Sequence, residues 1–290
     1  MRPLAIVTGS TRGLGLAIVR GLHARGFDVV GIGRSEPAAG LPAMATTSSS
    51  SADADAEAEA EAEAGGAPPP AFHHHRCDLS VTADVEGLFH ESLAPHIKGR
   101  SRVVLVNNAG TLGPIGPTSS FGGGGTAAAA AAGAAGAHSI SRVDEALRLN
   151  LTVPLWLSGA VVRASAPSSS VRIVNISSGA AGNPYPGWAT YCSTKAGLRM
   201  AGRVLAADCE GYDELRGRDV RVLDYAPGVV DTEMQLALRT TSREDFPLVG
   251  KFVGLHESGS LVRPEDSAVP VVDFAASGDG DAYSEGRYGT

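Results

Sequence analysis

Tyr191 and Lys195 lie four residues apart, and on a helix that spacing puts both side chains on one face. A free phenol titrates near ~10, so a tyrosine moves protons poorly at neutral pH unless a nearby cation favours its phenolate. Lys195 is placed to be that cation. Ser178 lies thirteen residues before Tyr191, at the end of an apolar run, where a hydroxyl can hydrogen-bond the same substrate oxygen. An acid, a cation that tunes it and a donor that orients an oxygen form a proton-transfer set. Tyr-x-x-x-Lys by itself is an ordinary helical pair, so the elements that carry it decide its meaning.

The apolar run, residues 171–176, reads as a buried parallel strand. The helix bearing Tyr191 continues through Leu198, Met200 and Val204 toward Cys209. At the start of the chain, residues 3–7 form another apolar strand, followed by Thr8, Gly9, Ser10, Thr11, Arg12, Gly13, Leu14 and Gly15. Leu14, Ile18 and Leu22 then recur at helical spacing, and Gly26 is the expected stop. Strand, glycine-rich turn and helix in that order is the context in which backbone approaches a dinucleotide pyrophosphate at a helix N-terminus. The spacing is Gly-x-x-x-Gly-x-Gly, and its placement makes it informative.

The second strand is expected at 28–32, ending Gly33-Arg34-Ser35. Arg34 stands near where an NAD site would carry an acidic ribose-binding residue. A guanidinium there attracts the 2′-phosphate that a carboxylate would repel, and Arg12 in the turn adds positive charge. NADP is therefore expected over NAD. A third strand, 72–77, ends at Asp78-Leu79, and a helix over 84–97 carries Val85, Leu88, Phe89 and Leu93. His73, His74 and His75 are consecutive on a strand and alternate faces, so no metal site is expected there. A fourth strand, 102–106, ends at Asn107-Asn108-Ala109-Gly110, a polar pair suited to a ligand crevice. Asn150 stands in an otherwise apolar helix with Val143 and Leu147; a buried amide there either ties down backbone or holds a water. A sixth strand, 220–225, leads into Pro227, Gly228, Val230, Asp231 and Thr232. Residues 233–262 show no decisive pattern. A helix from Pro264 is expected to bury Ala268, Val271, Val272 and Phe274, and 286–290 to form a short last strand.

Two low-complexity stretches interrupt this order. Residues 37–70 hold a serine run and alternating Asp-Ala and Glu-Ala, which leaves no apolar stripe to pack. Residues 113–139 are rich in glycine and alanine and are expected to be a flexible loop. Lysine plus arginine number 24 against 31 aspartate plus glutamate, a formal charge of -7, so no nucleic-acid footprint is present. No segment approaches the ~18 apolar residues of a membrane span. A strand beginning at residue 3 leaves no room for a cleavable signal, and the three cysteines lack framework spacing. A reducing compartment, the cytoplasm, is expected.

Strands alternating with helices imply an α/β fold, a doubly wound Rossmann-type parallel sheet, with residues 1–290 as a single domain. The chain resembles the short-chain dehydrogenase/reductase family over nearly its whole length apart from the two inserts. The matching positions are Thr8-Gly9-x-x-x-Gly13-x-Gly15, Asp78, Asn107-Asn108-Ala109-Gly110, Asn150, Ser178, Tyr191-x-x-x-Lys195 and Pro227-Gly228. That resemblance implies Tyr191 as general acid-base, Lys195 lowering its pKa and binding the nicotinamide ribose, and Ser178 orienting the carbonyl. It implies Asn150 holding a relay water, and Leu14 with Asn108, Ala109 and Gly110 lining NADP(H). Asp78 and Leu79 would meet the adenine, and Val230 and Thr232 the carboxamide. A small carbonyl substrate and a homo-oligomer, dimer or tetramer, are implied as well. Within the family, residues 187–192, 222–228 and 231–235 are similar to sepiapterin reductase and benzil-reductase-like members. The tail 286–290 lacks the carboxylate that anchors a pterin in sepiapterin reductase.

Overall fold

The computed structural model describes residues 1–36, 69–122 and 138–289. Seven parallel strands form one sheet in the order β3-β2-β1-β4-β5-β6-β7. They are β1 (Leu4–Thr8), β2 (Asp28–Gly33), β3 (Phe72–Arg76), β4 (Arg102–Asn107), β5 (Ser170–Ile176), β6 (Val220–Ala226) and β7 (Tyr283–Arg287). The chain runs outward from β1 on one side and then from β4 on the other. The crevice between the carboxyl ends of β1 and β4 is the topological switch point, where such sheets bind ligands.

Alternate residues of each strand feed two cores. On one face Ala5, Val7, Val104, Val106, Val174 and Tyr225 meet α1 (Gly13–Ala24) and α9 (Pro264–Ala276). On the other, Leu4, Ile6, Val103, Leu105, Ile173 and Val222 meet a layer that includes α2 (Thr82–Leu88), α3 (Ala94–Ile97), α5 (Val153–Ala164) and α6 (Ala189–Gly211). In α9, Ala268, Val271 and Val272 are buried as expected, while Phe274 is only partly so and Ala275 takes the inner place. Two shorter helices, α7 (Glu233–Arg239) and α8 (Val249–Glu257), occupy the stretch that had no decisive pattern.

Two helices are not regular. A π-helical turn, Phe89–Leu93, joins α2 to α3, and another, Arg148–Thr152, joins α4 (Ile140–Leu147) to α5. Pro95 and Pro154 stand two residues beyond these turns. A proline gives no N–H to the carbonyl four residues back, so the α pattern loses a bond there and the wider turn accommodates the gap.

Two expectations change. The last strand begins at Tyr283, not 286, because Tyr283 and Glu285 find partners on β6 and α6. Residues 113–122, expected within a featureless loop, carry local structure: a 3₁₀ turn covers Thr118–Ser120, and Phe121 bridges to His138 with rings 5.4 Å apart. The acidic and alanine-rich tracts at 37–68 and 123–137 lie outside the described residues. His73 and His75 do share a face, packing edge-on against His96, with His74 on the other side against Phe72. Among the described residues no group of His, Cys, Asp or Glu side chains is arranged to hold a metal ion, and no helix is long and apolar enough to cross a membrane.

Candidate active site

The turn after β1 is tied to the turn after β4. Thr8 Oγ1 accepts the N–H groups of Asn108 and Ala109, both at 3.0 Å, and Asn108 Nδ2 donates to the carbonyls of Thr8 and Gly9 at 2.9 and 3.1 Å. Gly9 has φ 66°, and a Cβ there would lie 2.8 Å from Asn108 Nδ2. On Gly15 a Cβ would come within 2.0 Å of the Gly9 carbonyl oxygen, so only glycine fits. Gly13 faces Thr232 at the head of α7, and Gly110 faces Asn150 Oδ1 and Lys195 Nζ. Val230 bridges Val262, the Pro227 carbonyl accepts from Ser267 at 2.9 Å, and Gly228 backs onto Tyr288. Arg12, the residue before α1, provides no side-chain cap, which leaves the first N–H groups of the helix for another acceptor. Ser10 is 1% exposed and its hydroxyl has no partner among the described residues, while Thr11 packs beside Gly33. These residues fit a pyrophosphate: backbone that approaches closely, orphan donors and a helix N-terminus. Leu14 and Leu79 are buried in the two cores, so their side chains are taken up by packing.

Beyond β2 and β3 a cavity of about 510 Å³ is lined by Arg34, Arg76, Cys77, Asp78, Asp84 and Leu88. Arg76, paired in register with Gly33, is a second guanidinium that spacing along the chain did not reveal. Asp78 accepts from the Ser80 N–H and hydroxyl at 2.9 and 2.8 Å, bonds that with Arg34 hold its carboxyl below the usual range. Arg12 is elsewhere: its guanidinium pairs with Glu233 at 2.6 Å across the crevice mouth. The expected second charge beside Arg34 is thus supplied from β3, not from the glycine turn.

Ser178 lies just past β5, and Tyr191 and Lys195 sit in the first two turns of α6. The Ser178 hydroxyl is hydrogen-bonded to Tyr191 and accepts the Ala180 N–H at 3.2 Å. Lys195 Nζ stands 5.8 Å from the Tyr191 ring centre and donates to the Ile176 carbonyl at 2.7 Å. Burial, only partly offset by Ser178, pushes the Tyr191 phenol up to about 12. This is opposite to the expected direction. Burial also brings the Lys195 ammonium down to about 8, opposed by Asp224. Desolvation penalises both charged forms and here outweighs the Ser178 hydrogen bond at Tyr191 and the Asp224 charge at Lys195.

Asn150, fully buried, resolves the two readings of its amide. Its Oδ1 accepts the Thr111 N–H at 2.9 Å, and its Nδ2 donates to the Thr111 carbonyl at 2.8 Å and to Thr194 Oγ1 at 3.1 Å. The side chain ties down backbone. Its own carbonyl, facing Pro154 four residues on, gets no N–H from that residue.

The wall beside Tyr191 is aromatic. Trp188 stacks on Phe246 at 4.8 Å and on Tyr185 at 5.1 Å, and meets Tyr191 edge-on at 5.4 Å; Phe252 closes the cluster. Gln235 is 4% exposed and, among the described residues, neither amide atom has a partner; it lies one turn from Leu238, which joins this cluster. Sequence reasoning missed Phe246, Phe252 and Gln235 as site residues because α7, α8 and the stretch between them have no strong periodicity.

A seven-stranded parallel sheet with a glycine turn at its switch point defines a Rossmann-type nucleotide-binding protein. The family model described as short chain dehydrogenase matches residues 3–243. The chain is 31% identical over 277 residues to benzil reductase ((S)-benzoin forming) of Bacillus subtilis, covering 95% of this chain and 94% of that one. It is 35% identical over 188 residues to sepiapterin reductase of Mus musculus, covering 64% and 63%. Among solved structures it is similar to a putative NAD(P) dependent gluconate 5-dehydrogenase from Beutenbergia cavernae with bound NADP. The TM-score is 0.65 at 26% identity, over 98% of this chain and 94% of that one. The chain belongs to the short-chain dehydrogenase family and is an oxidoreductase that uses a nicotinamide cofactor, NAD or NADP.

Proposed function

We propose that this protein is an NADPH-dependent carbonyl reductase acting on a small ketone or vicinal dicarbonyl, with residues 1–290 forming one catalytic domain. The observation that carries the reading is the meeting of Ser178, Tyr191 and Lys195 in one buried site. The nicotinamide supplies a hydride when bound, and the protein's own groups handle the substrate oxygen. Ser178 and Tyr191 hydrogen-bond the carbonyl, and Tyr191 gives up its proton as negative charge develops on that oxygen. A phenol near 12 resists ionising; Lys195 beside its ring offsets this once proton transfer begins. Asn150 holds Thr111 and α6 in place, and its carbonyl is an acceptor for a water that returns the proton.

The glycine turn, with Gly9, Ser10, Gly13 and Gly15, holds the pyrophosphate, and Asn108, Ala109, Gly110, Val230 and Thr232 flank the nicotinamide end. Arg34 and Arg76 favour a 2′-phosphate. A dicarbonyl ranks above a pterin for two reasons. Glu285, the carboxylate of β7, is occupied by Arg199 and Arg203, and the aromatic wall with its unpartnered Gln235 amide suits a flat substrate with a second oxygen. The same reading makes the protein cytoplasmic, in keeping with three free cysteines, and a homo-oligomer. Leu155 on α5 and Met200 and Val204 on α6 are exposed apolar side chains suited to a second copy.

The test is loss of NADPH absorbance with benzil, 1-phenyl-1,2-propanedione and sepiapterin. Tyr191→Phe is expected to lose roughly 10²–10⁴-fold in kcat with NADPH affinity kept within a few-fold; near-normal turnover would refute the assignment. Arg34→Asp is expected to erase the preference for NADPH over NADH. Equal kcat/KM for both cofactors in the parent would overturn that part. A clear advantage for sepiapterin would reverse the substrate ranking.

A further inference from the structure

Four adjacent strands carry a polar residue at one level of the sheet. Asn107 of β4 is in register with Asn175 of β5, Asn175 with Asp224 of β6, and Asp224 with Glu285 of β7. Register neighbours point to one face, here the face beneath α6. Asn107, Asn175 and Asp224 are all but fully buried. A buried polar row costs free energy that an apolar row would not, and the proton transfer described above uses none of it. α6 rests on the row through Gly202, where a Cβ would lie 3.0 Å from Asp224 Oδ2 and 3.1 Å from Asn175 Nδ2. Lys195 lies seven residues before Gly202, two turns along the same helix face.

The hydrogen bonds within the row fix where its charge sits. Asn107 Nδ2 donates to Asn175 Oδ1 at 2.9 Å, and the Asn175 amide in turn favours a charged Asp224. The Tyr283 hydroxyl lies 2.8 Å from Asp224 Oδ2 and 2.9 Å from Glu285 Oε1. A phenol has one proton and cannot donate to both. Glu285 already has the guanidinium groups of Arg199 and Arg203, so the phenol hydrogen is left for Asp224, whose Oδ1 has no partner. Lys195 has the complementary need: a buried ammonium with three donors and, among the described residues, one acceptor, the Ile176 carbonyl.

We propose that Asp224 is a positioning residue for the reduction, its carboxylate acting from the sheet beneath α6 to keep Lys195 protonated beside Tyr191. The inference rests on the Tyr191 and Lys195 reading given above. The groups around Asp224 are Asn175 on β5, Tyr283 and Glu285 on β7, and Arg199 on α6, with Arg203 behind Glu285; Tyr191 stands beside Lys195. Arg199 spends its charge on Glu285. Burial raises Asp224 itself to about 6, so it is anionic in the range where Lys195, brought down to about 8, begins to lose its proton. The support therefore operates on the alkaline side of the activity profile.

The experiment is the pH profile of kcat/KM for reduction, from acid to alkaline, in the parent, Asp224→Asn and Tyr283→Phe. Asparagine keeps the shape and the acceptor but not the charge. The alkaline limb of Asp224→Asn, normalised to its own plateau, is expected to move to lower pH by about half a unit or more. Tyr283→Phe removes a donor to Asp224 but not its charge, which at about 6 is still present where Lys195 titrates, and is expected to leave the limb in place. A structural role alone would lower the plateau without moving the limb. Lys195→Met separates the two claims: retained turnover sinks the Tyr191 and Lys195 reading itself. An inactive Lys195→Met with the Asp224→Asn limb superimposed on the parent's overturns the role of Asp224 alone. Should Asp224→Asn fail to bind NADPH or to fold, the limb of Asp224→Ser, which also removes the charge, decides.

Discussion

The two π-helical turns are the same defect with different consequences. Phe89–Leu93 and Arg148–Thr152 are each five residues long, and each precedes a proline by the same distance. The first presents Glu91 to solvent at its centre and packs Phe89 and Leu93 into the core. The second presents Asn150 inward, where it ties the loop after β4 to the helix that carries Tyr191. Each backbone distortion is coupled to a proline two residues on; whether it serves chemistry depends on the side chain at its centre and on what lies opposite. A proline-coupled π turn is thus a place to look, and the buried amide is the sign that identifies the functional one.

The comparison is broken most directly at the two central residues. Asn150→Ala leaves the Thr111 N–H and carbonyl without partners, at about 1–3 kcal/mol for each buried group. A drop in Tm and at least a tenfold loss of kcat are expected, against no change in either for Glu91→Ala. Thermal melts and turnover with a dicarbonyl check both; equal effects at the two positions would show that the turns do not differ in role. The prolines sharpen it. Pro154→Ala restores an N–H opposite the Asn150 carbonyl and lets the turn tighten toward α geometry. Because a displacement of ~1 Å costs up to about 10²-fold, turnover is expected to fall clearly while Tm holds or rises. Pro95→Ala is expected to leave turnover untouched. The smallest effect is expected outside both turns. Deleting residues 43–67, between β2 and β3, or 122–136, before α4, is expected to leave kcat/KM within about two-fold. Loop-closure entropy changes by only about 0.6 kcal/mol per doubling of length. Loss of folded protein from either deletion would show that an insert packs on the domain.

Much of the site could be read along the chain because its parts are local. The glycines of residues 9–15 stand between a strand and a helix, and a close backbone approach there admits no other residue. Tyr191 and Lys195 share a face by helical geometry, whatever surrounds them. Arg34 follows the second strand, where the end of a strand fixes its place. The strands at 171–176 and 220–225 declare themselves by unbroken apolar runs.

What the chain order could not supply is what meets across the fold. Arg76 joins Arg34 only because β3 lies beside β2, and Arg12 turns to Glu233 because α7 crosses the mouth of the crevice. Trp188, Phe246 and Phe252 form one wall from two helical regions that show no shared pattern. β7 hides in Tyr-Ser-Glu-Gly-Arg because two of its polar residues, Tyr283 and Glu285, find partners on β6 and α6. The direction of the Tyr191 shift belongs to this class too. Spacing places a cation near a phenol; the surrounding core decides how much water each keeps, and desolvation is the largest cause of both shifts. Sequence determined which residues share a face and which turns require glycine, because those follow from backbone geometry within a few residues. Tertiary structure decided burial, partners and charge, because those depend on atoms brought together from distant parts of the chain.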